Sequence, residues 1–200
     1  QGQNCMAGTR LYVHEKVHDR VVDGVARIAR GMQLGHGLDP ASQFGPLISA
    51  GQRERVRGFV EAGRREGGEL VCGGTAPERP GWFFEPTVFA RMRADMTPVK
   101  NEIFGPVLCV QSFGDDELER VAAEANATIY GLSGSVWTRD IGLAMQMVRR
   151  IDSGQVSVNM HAALDPAMPF GGNRQSGWGR EFGKEGLEPY LKTKGVSVAW

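Results

Sequence analysis

A strand-length apolar run followed by a stripe of apolar residues at helical spacing recurs along the chain, and this alternation restricts the possible folds most. Arg10 to Val13 reads as a strand. Val17, Val21, Val25, Ile28 and Met32 then repeat at three- and four-residue intervals before the glycine-rich Gly31 to Gly37. A second helix is expected from Ser49, because Ser49-x-x-Gln52 matches a capping box. Val56, Phe59, Val60 and the small Gly63 share one of its faces. Strands are expected at Glu69 to Cys72, Phe84 to Phe89 and Val107 to Phe113, with Pro98 and Pro106 bounding a loop that holds Lys100 to Gly105. Asp115 or Asp116 should cap a helix bearing Leu118, Val121, Ala122 and Ala125. Leu132 to Thr138, a helix over Ile141 to Val148, and Gln155 to Asn159 continue the rhythm. Successive β-α-β units imply an α/β fold with a largely parallel sheet flanked by helices.

From Met160 to Gly183 the periodicity lapses into an irregular stretch, and Phe170, Trp178 and Phe182 within it predict an ordered loop rather than disorder. A short helical turn near Leu187 to Leu191 leads to Val196-Ser197-Val198-Ala199-Trp200, which reads as a terminal strand. No repeat or internal linker asks for a second full domain.

Composition narrows the function. The 200 residues are 41% hydrophobic and 23% charged, the balance of a globular chain rather than a disordered one. Equal counts of 23 basic and 23 acidic residues give no electrostatic reason to expect nucleic acid or an anionic membrane as partner. No apolar stretch approaches a bilayer span, which needs about 20 residues. Cys5, Cys72 and Cys109 show no C-x-x-C spacing and cannot all pair within one chain. Free thiols, a reducing cytoplasmic compartment and no bound metal are expected. Gln1 in place of an initiating methionine reads as the mark of a fragment.

Cys5 sits in a polar, flexible setting, Gly2-Gln3-Asn4-Cys5 with Gly8 behind it, where a thiol is open to act as a nucleophile. A packed, inert cysteine is the competing reading, and for Cys72 and Cys109, inside or beside apolar runs, it is the expected one. In Asn101-Glu102-Ile103-Phe104-Gly105-Pro106 a carboxylate and an aromatic lie two apart on a Gly/Pro-bounded loop. A carboxylate can accept two hydrogen bonds from a ribose diol and a ring can pack on a planar heterocycle, although a solvated Glu and a core Phe would look the same. His14 and His18 lie one helical turn apart without a third ligand motif, which describes a solvated face better than a metal site.

Taken together, Gly2-Gln3-Asn4-Cys5 with Arg10, Gly45-Pro46-Leu47, Glu85-Pro86-Thr87-Val88, Glu102-Ile103-Phe104-Gly105-Pro106-Val107, Pro169-Phe170-Gly171-Gly172 and Ser176-Gly177-Trp178-Gly179-Arg180-Glu181 resemble the carboxyl-terminal part of the aldehyde dehydrogenase superfamily. The resemblance spans essentially the whole chain. Within the family, His161 to Pro166 looks most like the phenylacetaldehyde dehydrogenases, pointing to an aromatic aldehyde.

The resemblance implies that Cys5 is the catalytic nucleophile, that Glu102 binds the nicotinamide ribose of NAD or NADP, and that Phe104 packs near the nicotinamide. Gln52 matches a position that contacts the same ribose, in competition with its capping-box role. Asn4, Met6, Leu164, Asp165 and Phe170 match positions lining or adjoining the aldehyde tunnel, with apolar packing the alternative for Met6, Leu164 and Phe170. Glu181 matches a glutamate assigned to proton movement, or else a structural partner for Arg180. It further implies a catalytic domain over residues 1–183, incomplete at its amino terminus, and a terminal helix and oligomerisation strand over 184–200 in a homo-oligomer. No G-x-G-x-x-G run follows an expected strand, so the Rossmann-like dinucleotide-binding domain is expected to be missing; the resemblance implies that the family's general base and oxyanion-hole asparagine would lie upstream with it, and the chain alone is expected not to turn over. Lys192 stands where the family carries an acidic residue. Two other readings remain open, a noncatalytic assembly module and a thiol hydrolase pairing Cys5 with a histidine.

Overall fold

A computed structural model describes residues 1–200 as two compact units, Gln1–Thr128 and Ile129–Trp200. The first is built on a four-stranded sheet. Its strands are β1 (Arg10–His14), β2 (Glu69–Cys72), β3 (Thr87–Ala90) and β4 (Val107–Phe113), in the order β1-β4-β3-β2. β1 and β3 both run parallel to β4, with Arg10 opposite Cys109 and Thr87 opposite Val107, while β2 joins β3 antiparallel at the edge. Helices α1 (His18–Gly31), α2 (Ala50–Arg65), α3 (Thr97–Lys100) and α4 (Leu118–Asn126) complete the unit.

Side chains alternate across β4, and this period of two divides the core. Val107 and Cys109 face Phe84, Phe89, Met96, Ile103 and the Val56 and Val60 stripe of α2. Leu108 and Val110 face Val22, Ala26 and Ala29 of α1. Sandwiched between helices, β3 is buried at every residue, as the central strand of a parallel arrangement must be.

Several boundaries depart from expectation. The strand expected at Phe84 starts only at Thr87, since Pro86 has no N–H to contribute to a ladder. Neither Asp115 nor Asp116 caps α4. Its N-cap is Glu117, without a side-chain cap bond, and Asp115 turns instead to Lys16 Nζ at 2.6 Å and His14 Nε2 at 3.0 Å. Lys16, the nearer partner, holds the Asp115 carboxyl below its ordinary range. Only half of the capping box forms: Ser49 Oγ accepts from the Gln52 backbone N–H at 3.1 Å, while the Gln52 side chain reaches elsewhere. Ser49→Ala should therefore cost roughly 1 kcal/mol of stability in a urea titration.

The second unit pairs β6 (Ser133–Val136) with β7 (Gln155–Val158) in parallel across α5 (Ile141–Arg150), and β5 (Tyr130–Gly131) with β8 (Asn173–Arg174) antiparallel. Asp140 caps α5 by accepting from Leu143 N–H at 3.1 Å. The irregular stretch after β7 is held by backbone hydrogen bonds and the Phe170–Phe182 ring pair, without Trp178. Trp178 is 98% exposed, whereas Phe170 and Glu181 exchange two backbone bonds of 2.7 Å. The expected terminal strand at Val196 to Trp200 does not form. These residues are exposed and outside any sheet, because no neighbouring strand accepts their backbone groups. No helix is long and apolar enough to cross a membrane.

Candidate active site

Cys5 lies on a tight turn that its neighbours build. Asn4 Oδ1 accepts from the Met6 N–H at 2.8 Å and the Asn4 carbonyl from the Ala7 N–H at 3.0 Å, so the Asn4 side chain shapes the turn that presents the thiol. Met6, 8% exposed, anchors the turn in the protein interior, and Cys5 itself is exposed. The other two thiols are enclosed. Burial pushes Cys109 up to about 12 and raises Cys72, which the nearby Arg30 charge partly offsets.

The loop of Glu102 and Phe104 lies against the beginning of this turn. Gly2 takes φ +78°, and a Cβ there would strike the Gly105 carbonyl, so only glycine lets the two backbones approach this closely. Ile103, 1% exposed, plugs into the core cluster that also holds Phe89 and Val56, leaving Glu102 exposed and Phe104 half-buried on either side of it. Phe104 adopts φ +54°, a left-handed conformation that a bulky residue tolerates only under local constraint.

That constraint comes from α2. Gln52 Nε2 donates to the Ile103 carbonyl at 3.1 Å and the Phe104 carbonyl at 2.8 Å, and Arg55 Nη2 donates to the Glu102 carbonyl at 2.8 Å. Gln52 thus adjoins the Glu102 loop, with its amide nitrogen committed to backbone oxygen. Sequence reasoning missed Arg55 and Gln3. Arg55 lies one helical turn from Gln52 and therefore on the same face, a spacing that was legible. Gln3, whose Oε1 accepts from the Ile48 N–H at 2.9 Å, ties the Cys5 turn to the approach of α2 and left no local signal. An apolar cavity of about 310 Å³ borders the same region, walled by Gly2, Ala7, Ala29, Met32, Phe44 and Pro106.

Cys5, Asn4, Met6, Gln52, Glu102 and Phe104 all belong to the first unit, and Leu164, Asp165, Phe170 and Glu181 to the second. Within the second unit Leu164 is exposed. Asp165 folds its own turn by accepting from the Ala167 N–H at 2.9 Å. The Phe170 ring stands 6.4 Å from that of Phe182. Arg180 donates to the Gly172 and Gly179 carbonyls and to Asn173 Oδ1, and Glu181 is engaged through its backbone with Phe170.

Residues 1–196 match the model of the aldehyde dehydrogenase family. The chain is 43% identical over 199 residues to betaine aldehyde dehydrogenase of Bacillus subtilis, covering 98% of this chain and 40% of that protein. It is 40% identical over 201 residues to phenylacetaldehyde dehydrogenase of Pseudomonas fluorescens, again 40% of that protein. The NAD+ complex of aldehyde dehydrogenase from Bacillus cereus superposes with a TM-score of 0.92 at 42% identity, over 98% of this chain and 40% of the other. The chain thus spans about two fifths of these relatives, and 22% of the longer cytosolic 10-formyltetrahydrofolate dehydrogenase of Xenopus laevis. With the order of its motifs, its mixed α/β architecture and these matches in agreement, the chain belongs to the aldehyde dehydrogenase family.

Proposed function

We propose that this chain carries the nucleophile and the nicotinamide-facing loop of an NAD(P)-dependent aldehyde dehydrogenase. The observation supporting this most directly is that an exposed cysteine, on a turn made by its own neighbours, rests through Gly2 on the loop that bears Glu102 and Phe104. The residues suit the nicotinamide end of the cofactor. Glu102 is exposed, and its carboxylate can accept from both hydroxyls of a ribose, while the half-buried Phe104 ring offers a planar face.

In this reading the Cys5 thiolate attacks the aldehyde carbon, forming a C–S bond and a thiohemiacetal whose oxyanion takes a hydrogen bond from the Cys5 backbone N–H. A bound oxidised nicotinamide supplies the hydride acceptor. Loss of hydride from the tetrahedral carbon leaves a thioester on Cys5. Water then cleaves the C–S bond, releasing the carboxylic acid and restoring the thiol. Asn4 acts by holding the turn. By the family resemblance alone, Met6, Leu164, Asp165 and Phe170 match positions along the aldehyde path and Glu181 one assigned to proton movement. An aromatic aldehyde is the substrate class this reading favours. The chain carries no G-x-G-x-x-G fingerprint for the pyrophosphate, so by itself it takes an aldehyde only as far as the thiohemiacetal, or an acyl group from an activated ester, without sustaining turnover. The apolar, exposed Val196, Val198 and Trp200 support self-association into a homo-oligomer.

The test is acylation. p-Nitrophenyl acetate should place one acetyl group on Cys5, read by peptide mass, and Cys5→Ala should carry none. Acetylation that survives the substitution, or an unmodified Cys5 in the folded wild-type chain, would remove the nucleophile assignment. Reduction of NAD+ by this chain with an aldehyde at an ordinary enzyme rate would overturn the claim that it cannot turn over alone.

A further inference from the structure

We infer that Gln52 and Arg55 are positioning residues: from one face of α2 they grip three consecutive carbonyls, Glu102, Ile103 and Phe104, and so fix where the Glu102 carboxylate and Phe104 ring stand relative to the Cys5 turn. This deepens the reading of Glu102 and Phe104 as cofactor-facing groups and rests on it.

In an extended strand neighbouring peptide planes point their oxygens to opposite sides, so three consecutive carbonyls cannot all face one partner there. Bringing these oxygens to one helix face requires the irregular backbone seen here, with Phe104 at φ +54°. The donors that compensate are themselves held. The Gln52 backbone is tied to Ser49 Oγ, and the Arg55 guanidinium lies 5.0 Å from the centre of the Phe59 ring, on the next turn of α2. Ile103 supplies the opposing anchor. Pinned in the core beneath, it is pulled against by the α2 donors at the backbone, and Glu102 and Phe104 on either side lose their freedom to swing.

The same helix also controls the other loop. Gln3 Oε1 accepts from Ile48 N–H just before α2, and Gly2 packs on Gly105 just after the gripped carbonyls. The approach to α2 therefore sets the Cys5 turn, its first turns set the Glu102 loop, and the Gly2–Gly105 contact joins the two. A hydride-transfer site depends on such registration, since a displacement near 1 Å between reacting groups is worth about 100-fold in rate.

The experiment uses the 200-residue chain and three substitutions. Gln52→Glu preserves size but replaces the donating nitrogen by an oxygen that repels both carbonyls. Arg55→Met keeps the aliphatic stem and removes the guanidinium. Arg55→Lys returns one charged donor. Amide hydrogen exchange of residues 102–105 should quicken about tenfold in the first two variants, with the α2 core amides of Val56 and Val60 unchanged and with recovery in Arg55→Lys. Loop exchange equal to wild type overturns the grip, as does exchange that rises equally in the loop and the α2 core.

Saturation-transfer NMR with nicotinamide mononucleotide reads the functional arm, where both variants should bind about tenfold more weakly than wild type, the order expected for a charge-assisted hydrogen bond lost indirectly. Quickened exchange with unaltered nucleotide affinity refutes a role in cofactor placement. A wild-type chain that binds no nucleotide refutes the Glu102 reading itself, and the exchange measurement then still decides whether the two side chains fix the loop.

Discussion

Iodoacetamide at pH 8 will alkylate Cys5 and leave Cys72 and Cys109 intact in the folded chain, and all three will react in denaturant. Alkylation needs a thiolate within reach of the reagent. Cys5 is exposed on its turn, whereas Cys109 is 0% exposed and its pKa is pushed up to about 12 by burial. At pH 8 a thiol with that pKa is ionised in about one molecule in ten thousand, and the sheet must also open before the reagent can enter. Cys72 is 8% exposed and its pKa is likewise raised by burial, so it follows Cys109 rather than Cys5. A difference of at least about 1000-fold in rate is expected, measured by quantifying the three modified peptides over time. Comparable labelling of Cys109 and Cys5 under native conditions would mean that β4 does not lie between two packed helical layers.

Alkali will destabilise the chain through the same buried thiol. Cys109 ionises near its ordinary value of 9.0 in the unfolded chain and only near 12 when folded, so the folded state holds its proton more tightly. Below pH 9 both states are protonated and the group has no effect on stability. As pH rises from 9 to 12 the unfolded chain gives up the proton first, and unfolding becomes easier by up to 1.36 kcal/mol per pH unit, on the order of 4 kcal/mol across the window. Tyr12 acts in the same direction above its ordinary 10.0, because burial, the largest influence on its phenol, raises it in the fold. Urea titrations across this range should show the midpoint falling. Cys109→Ala should start from a lower midpoint, through the cavity it leaves, and then decline much less steeply with pH. A variant that loses stability in alkali as steeply as wild type would assign the effect to other groups.

Much of the fold was legible because burial imposes a period on sequence. The stripes of α1 and α2 and the run through β4 are local patterns, and each forms close to where the spacing predicts it. The misplacements arise where a side chain had a better partner far away. Asp115 was expected to cap the helix three residues on, but Lys16 and His14, about a hundred residues earlier, hold it instead. A capping box was one of two roles open to Gln52, beside a ribose contact, yet two carbonyls some fifty residues downstream take its amide. Val196 to Trp200 has the composition of a strand, and a strand requires a neighbour that this chain does not bring to it.

From the sequence alone came the family, through the order of its motifs, the division into helices and strands, and the candidate pairing of Cys5 with Glu102 and Phe104. Only the tertiary structure decided that the Cys5 turn and the Glu102 loop touch, that Gly2 must be glycine for them to do so, and that α2 holds both. The physical reason is one of range. Periodicity and turn chemistry act between residues a few positions apart and so leave their signature in sequence, whereas a hydrogen bond from Arg55 to the Glu102 carbonyl depends on a meeting of distant segments that packing of the whole core arranges.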